Sequence, residues 1–136
     1  RRRANNCGAH MMDNETTFKL LDDIGAAFAR HDIDAMVGYF AVDGEFVNAI
    51  GSDPHGTCYK GHQQIRGYFE GLFATVEDVQ WEKTDIRGVA EKAYAEWHRR
   101  ATLKSGETQD WLGVDIYTFG DGEILKKDTY IKVVRP

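Results

Sequence analysis

Residues 92–134 read KAYAEWHRRATLKSGETQDWLGVDIYTFGDGEILKKDTYIKVV, and this stretch decides the fold. Polar and apolar side chains alternate along three segments, at about 92–103, 108–119 and 124–134, which is the two-residue period of β-strands. A turn at residues 104–107 separates the first two segments, and the strong hairpin signal Gly120-Asp121-Gly122 separates the last two. The stretch therefore predicts three long antiparallel strands, and a fourth precedes them, beginning at Val76 and ending at Gly88.

The residues before these strands have the 3.6-residue period of helices. We expect Asp13 to begin a first helix that stops near residue 30, and Asp32 to begin a shorter second one. A strand at about residues 45–50 and a third helix after Gly61 follow. Helices followed by long strands predict an α+β fold, with three helices packed on one face of a curved, mainly antiparallel sheet.

The composition is that of an acidic globular domain. The 136 residues are 42% hydrophobic and include 17 Lys and Arg against 22 Asp and Glu, for a net charge of −5. Nucleic acids and anionic membrane surfaces need clustered cations, so we expect neither as a partner. No apolar run approaches the roughly 18 residues of a membrane span. Two cysteines, Cys7 and Cys58, are too few for a disulfide scaffold.

The first residues read differently from the rest. Residues 1–12 begin with three arginines, and Gly8-Ala9-His10-Met11 looks like the remnant of a cloning site. We expect residues 1–12 to be a disordered or cloning-derived tail and residues 13–136 to form a single domain. The basic tip lacks the apolar segment of a secretory signal, so a cytoplasmic protein is expected.

Three segments carry a resemblance to a known superfamily. They are FARHDIDAMVGYFAVDGEFVN (residues 28–48), YKGHQQIRGYF (59–69) and WLGVDIYTFGDGEILKKDTYIK (111–132). The chain resembles the NTF2-like, or SnoaL-like, proteins, which include ketosteroid isomerase, polyketide cyclases and limonene-epoxide hydrolase, and it is closest to their uncharacterised members. The resemblance implies a cone-shaped fold enclosing a pocket for a small, partly apolar organic molecule. It also implies a homodimer formed through the sheet and no cofactor.

Asp115 is the first candidate for chemistry. It stands between Val114 and Ile116, and a carboxyl in an apolar wall is costly unless it is protonated, paired or hydrogen-bonded. The resemblance matches it to the aspartic acid of ketosteroid isomerase that donates a hydrogen bond to the oxyanion. The competing interpretation is a structural ion pair of Asp115 with Lys127 or Arg100.

The inward face of the strand at 92–103 has two interpretations. Alternation places Glu96, His98 and Arg100 on one face, and Trp97, Arg99 and Ala101 on the other. Apolar content favours the second set inside. Placing the strand against the isomerase pattern without a gap favours the first set inside, and we adopt that prediction. The apolar face would then be available for a dimer contact.

The predicted pocket contains further polar groups. His98 supplies an imidazole, the usual general base or acid near neutral pH. Asn48, Arg100 and Lys127 are candidate polar anchors for a ligand, and Trp111 and Thr129 are expected to face it too. The two cations indicate a ligand with a carboxylate or enolate oxygen, so the local charge of the pocket is expected to oppose that of the whole chain. One histidine and one carboxylate fall short of a metal-binding set, so no metal site is predicted.

The resemblance also shows which known activities are poorly matched. The general-base aspartate of ketosteroid isomerase falls on Asn48, and its oxyanion tyrosine falls on Ile24. Limonene-epoxide hydrolase has a tyrosine where this chain has Phe46, and an aspartate where it has Thr129. Two function classes remain: an acid/base isomerase, cyclase, lyase or hydrolase, and a non-catalytic small-ligand-binding or protein-interaction module with a structural Asp115–Lys127 pair.

Overall fold

The computed structural model describes residues 12–136, in which three helices pack on a six-stranded sheet. The elements, in chain order, are α1 (Asn14–Ala29), α2 (Ile33–Gly38), β1 (Phe40–Val47), β2 (Cys58–Lys60), α3 (Gly61–Thr75), β3 (Val76–Val89), β4 (Lys92–Leu103), β5 (Thr108–Gly120) and β6 (Glu123–Ile131).

The first two helices begin where side chains can accept their unpaired backbone N–H groups. The Asp13 carboxylate accepts from the Thr16 N–H at 2.7 Å, and the Asp32 carboxylate accepts from the Ala35 N–H at 3.1 Å. After α1, His31 takes a left-handed conformation with φ of 57°, which turns the chain toward α2. Both predicted helix starts are confirmed.

The sheet has the strand order β2-β1-β6-β5-β4-β3. Neighbouring strands are antiparallel except β1 and β6, which are parallel. The sheet is curved and not closed, and the helices lie on its concave face, so the predicted α+β fold is confirmed. The periodicity of residues 92–103 gives the bounds of β4 as the structure has them.

Two elements at the start of the sheet differ from their predictions. β1 begins at Phe40 rather than near residue 45, because Phe40 already pairs with Ile124 of β6 before the strand becomes irregular. Gly44 lies at this irregularity, where a Cβ atom would come 2.8 Å from the Ile124 carbonyl oxygen. Strand β2 was not predicted, because three residues are too short to show a period.

The core fills the space between the helices and the sheet. Its largest fully buried side chains include Phe40, Phe119, Leu21, Ile24, Met36, Ile65 and Ile124. Met12 belongs to this core as well, with 8% of its surface exposed, and its N–H donates to the Glu91 carboxylate at 2.8 Å. The other residues of the predicted tail, Cys7 among them, lie outside the described residues.

No helix within residues 12–136 combines the length and the apolar character needed to cross a bilayer.

Candidate functional site

A cavity of about 260 Å³ lies between α1, α3 and the concave face of the sheet. Most of its wall is aromatic or aliphatic. Its charged lining side chains, among the described residues, are Lys83, Arg99, Asp115 and Lys127. Three cations therefore stand against one carboxylate, the reverse of the charge of the whole chain. In the same part of the chain no group of three or more His, Cys, Asp or Glu side chains is placed to hold a metal ion.

Asp115 lies in the wall with two partners from β6. The register of the sheet sets Asp115 opposite Thr129, and Tyr117 opposite Lys127, so all of these residues face the cavity. The Thr129 hydroxyl donates to Asp115 Oδ1 at 2.7 Å. Lys127 Nζ donates to Asp115 Oδ1 and to Thr129 Oγ1, at 3.2 Å each. Asp115 is 7% exposed and Lys127 is 6% exposed, so this is a desolvated ion pair.

The donors and acceptors of this cluster fix where its protons lie. An ammonium group can only donate, so Thr129 Oγ1 accepts from Lys127 and gives its own hydrogen to Asp115. Asp115 Oδ1 accepts both bonds, which stabilises the negative carboxylate. Within residues 12–136 no hydrogen bond reaches Oδ2. Oδ2 is also accessible to solvent. Among residues 12–136 the one fully buried side-chain N or O atom without a hydrogen-bond partner is Trp97 Nε1, so the unpartnered Oδ2 is not fully buried.

Aromatic rings help to hold the ammonium group of Lys127. Its Nζ lies 4.7 Å from the centre of the Phe46 ring and 5.4 Å from that of Phe28. The negative faces of the rings attract a cation in this position. The positive charge of Lys127 is thus stabilised by these two rings as well as by the Asp115 carboxylate.

Arg99 is a cavity residue that the sequence analysis missed. It lies on β4 with 6% of its surface exposed, and its Nη1 donates to Gln109 Oε1 at 2.9 Å. Its guanidinium carbon lies 4.5 Å from the centre of the Trp111 ring. Burial lowers the pKa of Arg99, and the nearby Tyr68 has the opposite, smaller effect.

Lys83 is a second cation that was missed. It lies on β3 at the edge of the cavity, and its Nζ donates to the Leu21 carbonyl at 2.7 Å. Gly25 of α1 leaves room for this side chain, because a Cβ atom there would overlap the end of Lys83. Burial lowers the pKa of Lys83, and the charges of Asp22 and Asp115 oppose that shift.

Asn48 and Tyr68 complete the polar part of the wall. Burial raises the pKa of the Tyr68 phenol, and the neighbouring Tyr59 adds to the shift, while Arg99 and a hydrogen bond with Asn48 oppose it. The side-chain oxygen of Asn48 also accepts from the Ala49 N–H at 2.8 Å. Tyr68 is therefore close to both Arg99 and Asn48.

The prediction that Glu96, His98 and Arg100 face the pocket is wrong. The β4 residues that line the cavity are Ala95, Trp97 and Arg99, which point to the other side of the strand. His98 instead hydrogen-bonds through Nε2 to the exposed Asp110 carboxylate, and Arg100 Nη2 lies 3.0 Å from His98 Nδ1. His98 and Arg100 thus lie outside the cavity. The apolar face of β4, which was expected to make a dimer contact, lines the cavity instead.

The length of one hairpin loop explains this error. The turn was predicted over residues 104–107, and four loop residues would pair Leu103 with Thr108. In the structure the Leu103 N–H donates to the Glu107 carbonyl at 2.8 Å, so three residues form the loop. Gly106, with φ of +94°, takes the left-handed position typical of such loops. A shift of one residue exchanges the two faces of a strand, which is why Arg99 rather than Arg100 lies inside.

The other predicted site residues do line the cavity: Asn48, Trp111, Asp115, Lys127 and Thr129. The structure brings Asp115, Lys127 and Thr129 into direct contact. Trp111 does not belong to this cluster, and its ring packs against the guanidinium group of Arg99. The predicted roles of these residues in catalysis or binding stay predictions.

Comparison with known protein families assigns the chain. The family model described as a SnoaL-like domain matches residues 22–126. The chain belongs to the SnoaL-like family. The match includes two of the three segments on which the resemblance was based and most of the third, so that prediction is confirmed. Among curated proteins, none is significantly similar in sequence.

Solved structures show the same fold for this SnoaL-like protein. An NTF2-like protein of unknown function from Burkholderia pseudomallei superposes with a TM-score of 0.78, at 16% identity, over 86% of this chain and 91% of the other. SalBIII, an epoxide hydrolase/cyclase-like enzyme described in pyran ring formation in the polyether salinomycin, has a TM-score of 0.76 at 16% identity, covering 89% and 94%. TerC, co-crystallized with polyporic acid, has a TM-score of 0.75 at 17% identity, covering 86% and 92%.

The cavity of this SnoaL-like protein also contains the positions that differ from ketosteroid isomerase. Ile24 and Asn48, on which the resemblance places the tyrosine and the base aspartate of that enzyme, both line the wall. Neither side chain can take the corresponding role, because Ile24 has no donor and an amide does not accept a proton near neutral pH. Any acid/base chemistry in the cavity must therefore use a different set of residues.

Proposed function

We propose that this SnoaL-like protein binds a small, partly apolar organic molecule and acts on it by cofactor-independent acid/base chemistry. The reaction would be an isomerisation, cyclisation, elimination or hydrolysis. One observation carries the proposal: Asp115 lies in the wall of an otherwise mostly apolar cavity with one carboxylate oxygen held and the other without a hydrogen-bond partner among the described residues. A held carboxylate facing an apolar cavity is the arrangement that a general base needs.

The roles follow from the donors and acceptors of the cluster. Asp115 Oδ2 would take a proton from a carbon next to a carbonyl group of the ligand, and the electron pair of the broken C–H bond would move to the carbonyl oxygen. In an isomerisation or cyclisation the proton would then return to another atom of the ligand, so no other reactant is needed. In an elimination it would leave with the departing group, and in a hydrolysis Asp115 would instead take the proton of an attacking water molecule. Lys127 and the second cation Lys83 would stabilise the negative charge that develops. Since both donors of the cluster point at Oδ1, we assign Asp115 as base rather than as hydrogen-bond donor.

The surroundings support this assignment. Electrostatic interactions are stronger in a site that excludes water than in solution, and most of the wall here is aromatic or aliphatic. Two proteins with the same fold are described with small organic molecules, SalBIII with pyran ring formation in the polyether salinomycin and TerC with polyporic acid. At 16% and 17% identity these likenesses support the class of ligand and carry no residue roles.

The test is a matched pair of variants, Asp115→Asn and Asp110→Asn. Steroids, epoxides, lactones and aromatic acids are screened for turnover with the full chain, and the variants are assayed on whatever reacts. We expect Asp115→Asn to lower the rate about 10²- to 10⁴-fold, because the amide is no base. Asp110 lies on the outer face of the sheet, so Asp110→Asn should leave the rate unchanged. Unchanged turnover in Asp115→Asn would remove Asp115 from the mechanism.

A second function is favoured by the close pairing in the same cluster. The Lys127 ammonium and the Thr129 hydroxyl both donate hydrogen bonds to Asp115. A structural ion pair in a non-catalytic binding module would have the same arrangement. The double variant Asp115→Leu/Lys127→Met decides between the two. If the protein is a binding module, the unaltered protein and the double variant would both bind the compounds without turnover. If it is an enzyme, the unaltered protein would turn them over and the double variant would lose that turnover.

We also propose that the protein forms a homodimer through the outer face of the sheet. This face exposes large apolar side chains on neighbouring strands, Tyr94, Leu112 and Tyr130, at 43%, 48% and 56% of their surface. A patch of this kind is typical of an association surface. Sedimentation equilibrium should show a dimer that Leu112→Glu dissociates, and a monomer at all concentrations would contradict the proposal.

A further inference from the structure

We infer that Arg99 makes one end of the cavity a binding site for a carboxylate group of the ligand. The inference rests on the proposed function in so far as it assumes that the cavity holds an organic molecule. It goes further by naming the chemical class: an elongated organic acid, with its carboxylate at Arg99 and its reacting carbon near Asp115.

The first argument is the missing counter-charge of Arg99. Arg99 is 6% exposed, yet its hydrogen-bond partner is the neutral Gln109, and no carboxylate in the described part of the chain forms an ion pair with it. By contrast Lys127, which is equally buried, has Asp115 at 3.2 Å. A buried cation without an anion is costly, because it has lost water and gained no opposite charge. A bound anion would remove this cost.

The second argument is that hydrogen-bond donors of Arg99 remain available in the cavity. A guanidinium group has five N–H donors, and the bond to Gln109 uses Nη1. The other guanidinium nitrogens have no hydrogen-bond partner among residues 12–136, yet they are not fully buried, because the one fully buried side-chain N or O atom without a partner there is Trp97 Nε1. Because Arg99 lines the cavity, we infer that these nitrogens face it.

The third argument is that the guanidinium plane is held in place. The Trp111 ring lies 4.5 Å from the guanidinium carbon, and Gln109 holds one edge of the group. Stacking on an aromatic ring leaves the in-plane N–H groups free for two parallel bonds to one carboxylate. Little conformational freedom is lost when such a fixed fork binds.

The position of Arg99 sets the shape of the ligand. Arg99 pairs with Trp111 and Ala95 pairs with Asp115, so the backbone positions of Arg99 and Asp115 are four residues apart along the strands, roughly 13 Å at strand spacing. The side chains of Trp97 and Ile131 line the wall between these positions. A carboxylate placed beside Asp115 would be repelled, which leaves the Arg99 end for the acid group and the apolar wall for the body of the molecule.

The test compares each acid with its own uncharged amide. The probes are 3-phenylpropanoate, naphthalene-2-carboxylate and biphenyl-4-carboxylate, each with the matching primary amide, titrated calorimetrically into the full chain. We expect at least one acid to bind about 10- to 100-fold more tightly than its amide, as for hydrogen bonds to a charged group. Arg99→Gln should abolish that preference. Arg99→Lys, which keeps the charge but loses the fork and the stacking, should retain a part of it.

Two controls separate this inference from the rest of the molecule. Arg100→Gln removes the neighbouring arginine on the outer face and should keep the full preference for the acid. Asp115→Asn should keep the preference as well, although the proposed function predicts that it loses turnover. Near-ultraviolet circular dichroism shows that each variant is folded.

The possible results each decide something. Equal binding of acids and amides, or a preference that survives Arg99→Gln in a folded protein, overturns the carboxylate site and leaves the proposed function standing. Binding of none of the six probes to the unaltered protein overturns the inference together with the ligand-binding half of the proposed function.

Discussion

Two clusters on opposite faces of the same sheet combine a carboxylate, a cation and one more hydrogen-bonding side chain. The inner cluster consists of Asp115, Lys127 and Thr129, and the outer cluster consists of Asp110, Arg100 and His98. In the inner pair the two side chains are 11% and 7% exposed. In the outer cluster the Asp110 side chain is 72% exposed. Similar groups in similar contacts thus differ mainly in their access to water.

That difference decides what each cluster contributes. Water screens the outer charges and solvates either partner when the other is absent, so exposed pairs of this kind add little to stability. The inner charges have given up their hydration and depend on each other. Chemistry follows the same division, because a carboxylate facing an apolar cavity meets a ligand, whereas the outer histidine meets solvent. The sequence made both Asp115 and His98 candidates for chemistry, and the environment favours Asp115.

The largest expected effect breaks the inner cluster. Lys127→Met should lower the free energy of unfolding by about 3–5 kcal/mol, because it leaves the Asp115 carboxylate buried without its cation. Arg100→Gln, the matched change outside, should cost no more than about 1 kcal/mol. Urea denaturation of both variants measures the difference.

A double variant sharpens this prediction. Adding Asp115→Leu to Lys127→Met removes both charges and should recover most of the lost stability, since an apolar pair of similar volume replaces a buried ion pair at little cost. If Lys127→Met destabilises the protein as little as Arg100→Gln does, the two clusters do not differ in the way described.

A smaller effect concerns packing on the two faces. Gly113 lies on the inner face of β5, where a Cβ atom would overlap Trp97 Cη2 and come 2.5 Å from Cζ2 and 2.6 Å from the Tyr130 carbonyl oxygen. Gly113→Ala should therefore cost about 1–3 kcal/mol, the usual range for overpacking. Leu112→Ala removes a side chain that is 48% exposed on the outer face and should cost less. Thermal unfolding orders the two variants, and the reverse order would contradict the assignment of faces.

The sequence was informative wherever a local rule applied. Asp13 and Asp32 predicted two helix starts because capping is local, and alternation over a dozen residues predicted β4. Asp115 stood out because a carboxyl between apolar neighbours needs a partner, and the structure provides Lys127. Which partner it has depends on the register of β5 against β6, which shifts at a bulge between Thr118 and Phe119 that alternation does not show.

The same limit explains the residues that were missed. Alternation divides the run of His98, Arg99 and Arg100 between two faces, but the number of residues in the following loop decides which face lies inside. Apolar content favoured the correct face, and Gly106 is the residue that a three-residue loop requires, so a signal was present. Lys83 gave no such signal, because its partner is the backbone carbonyl of Leu21, 62 residues away.

The smallest expected effect tests the outer cluster by pH. The hydrogen bond from His98 holds the pKa of Asp110 below its ordinary value of 3.8, and the charges of His98 and Arg100 add to the shift. A carboxyl whose pKa is lower in the folded state stabilises the fold above its unfolded pKa, and the contribution disappears as the pH falls through the folded value. At neutral pH the urea midpoint of the unaltered protein should therefore be slightly higher than that of Asp110→Asn. The difference between the two midpoints should shrink below pH 3.8 and with added salt. Equal urea midpoints across this range would mean that Asp110 is solvated like any isolated surface carboxylate, and that the outer cluster is a contact without energetic consequence.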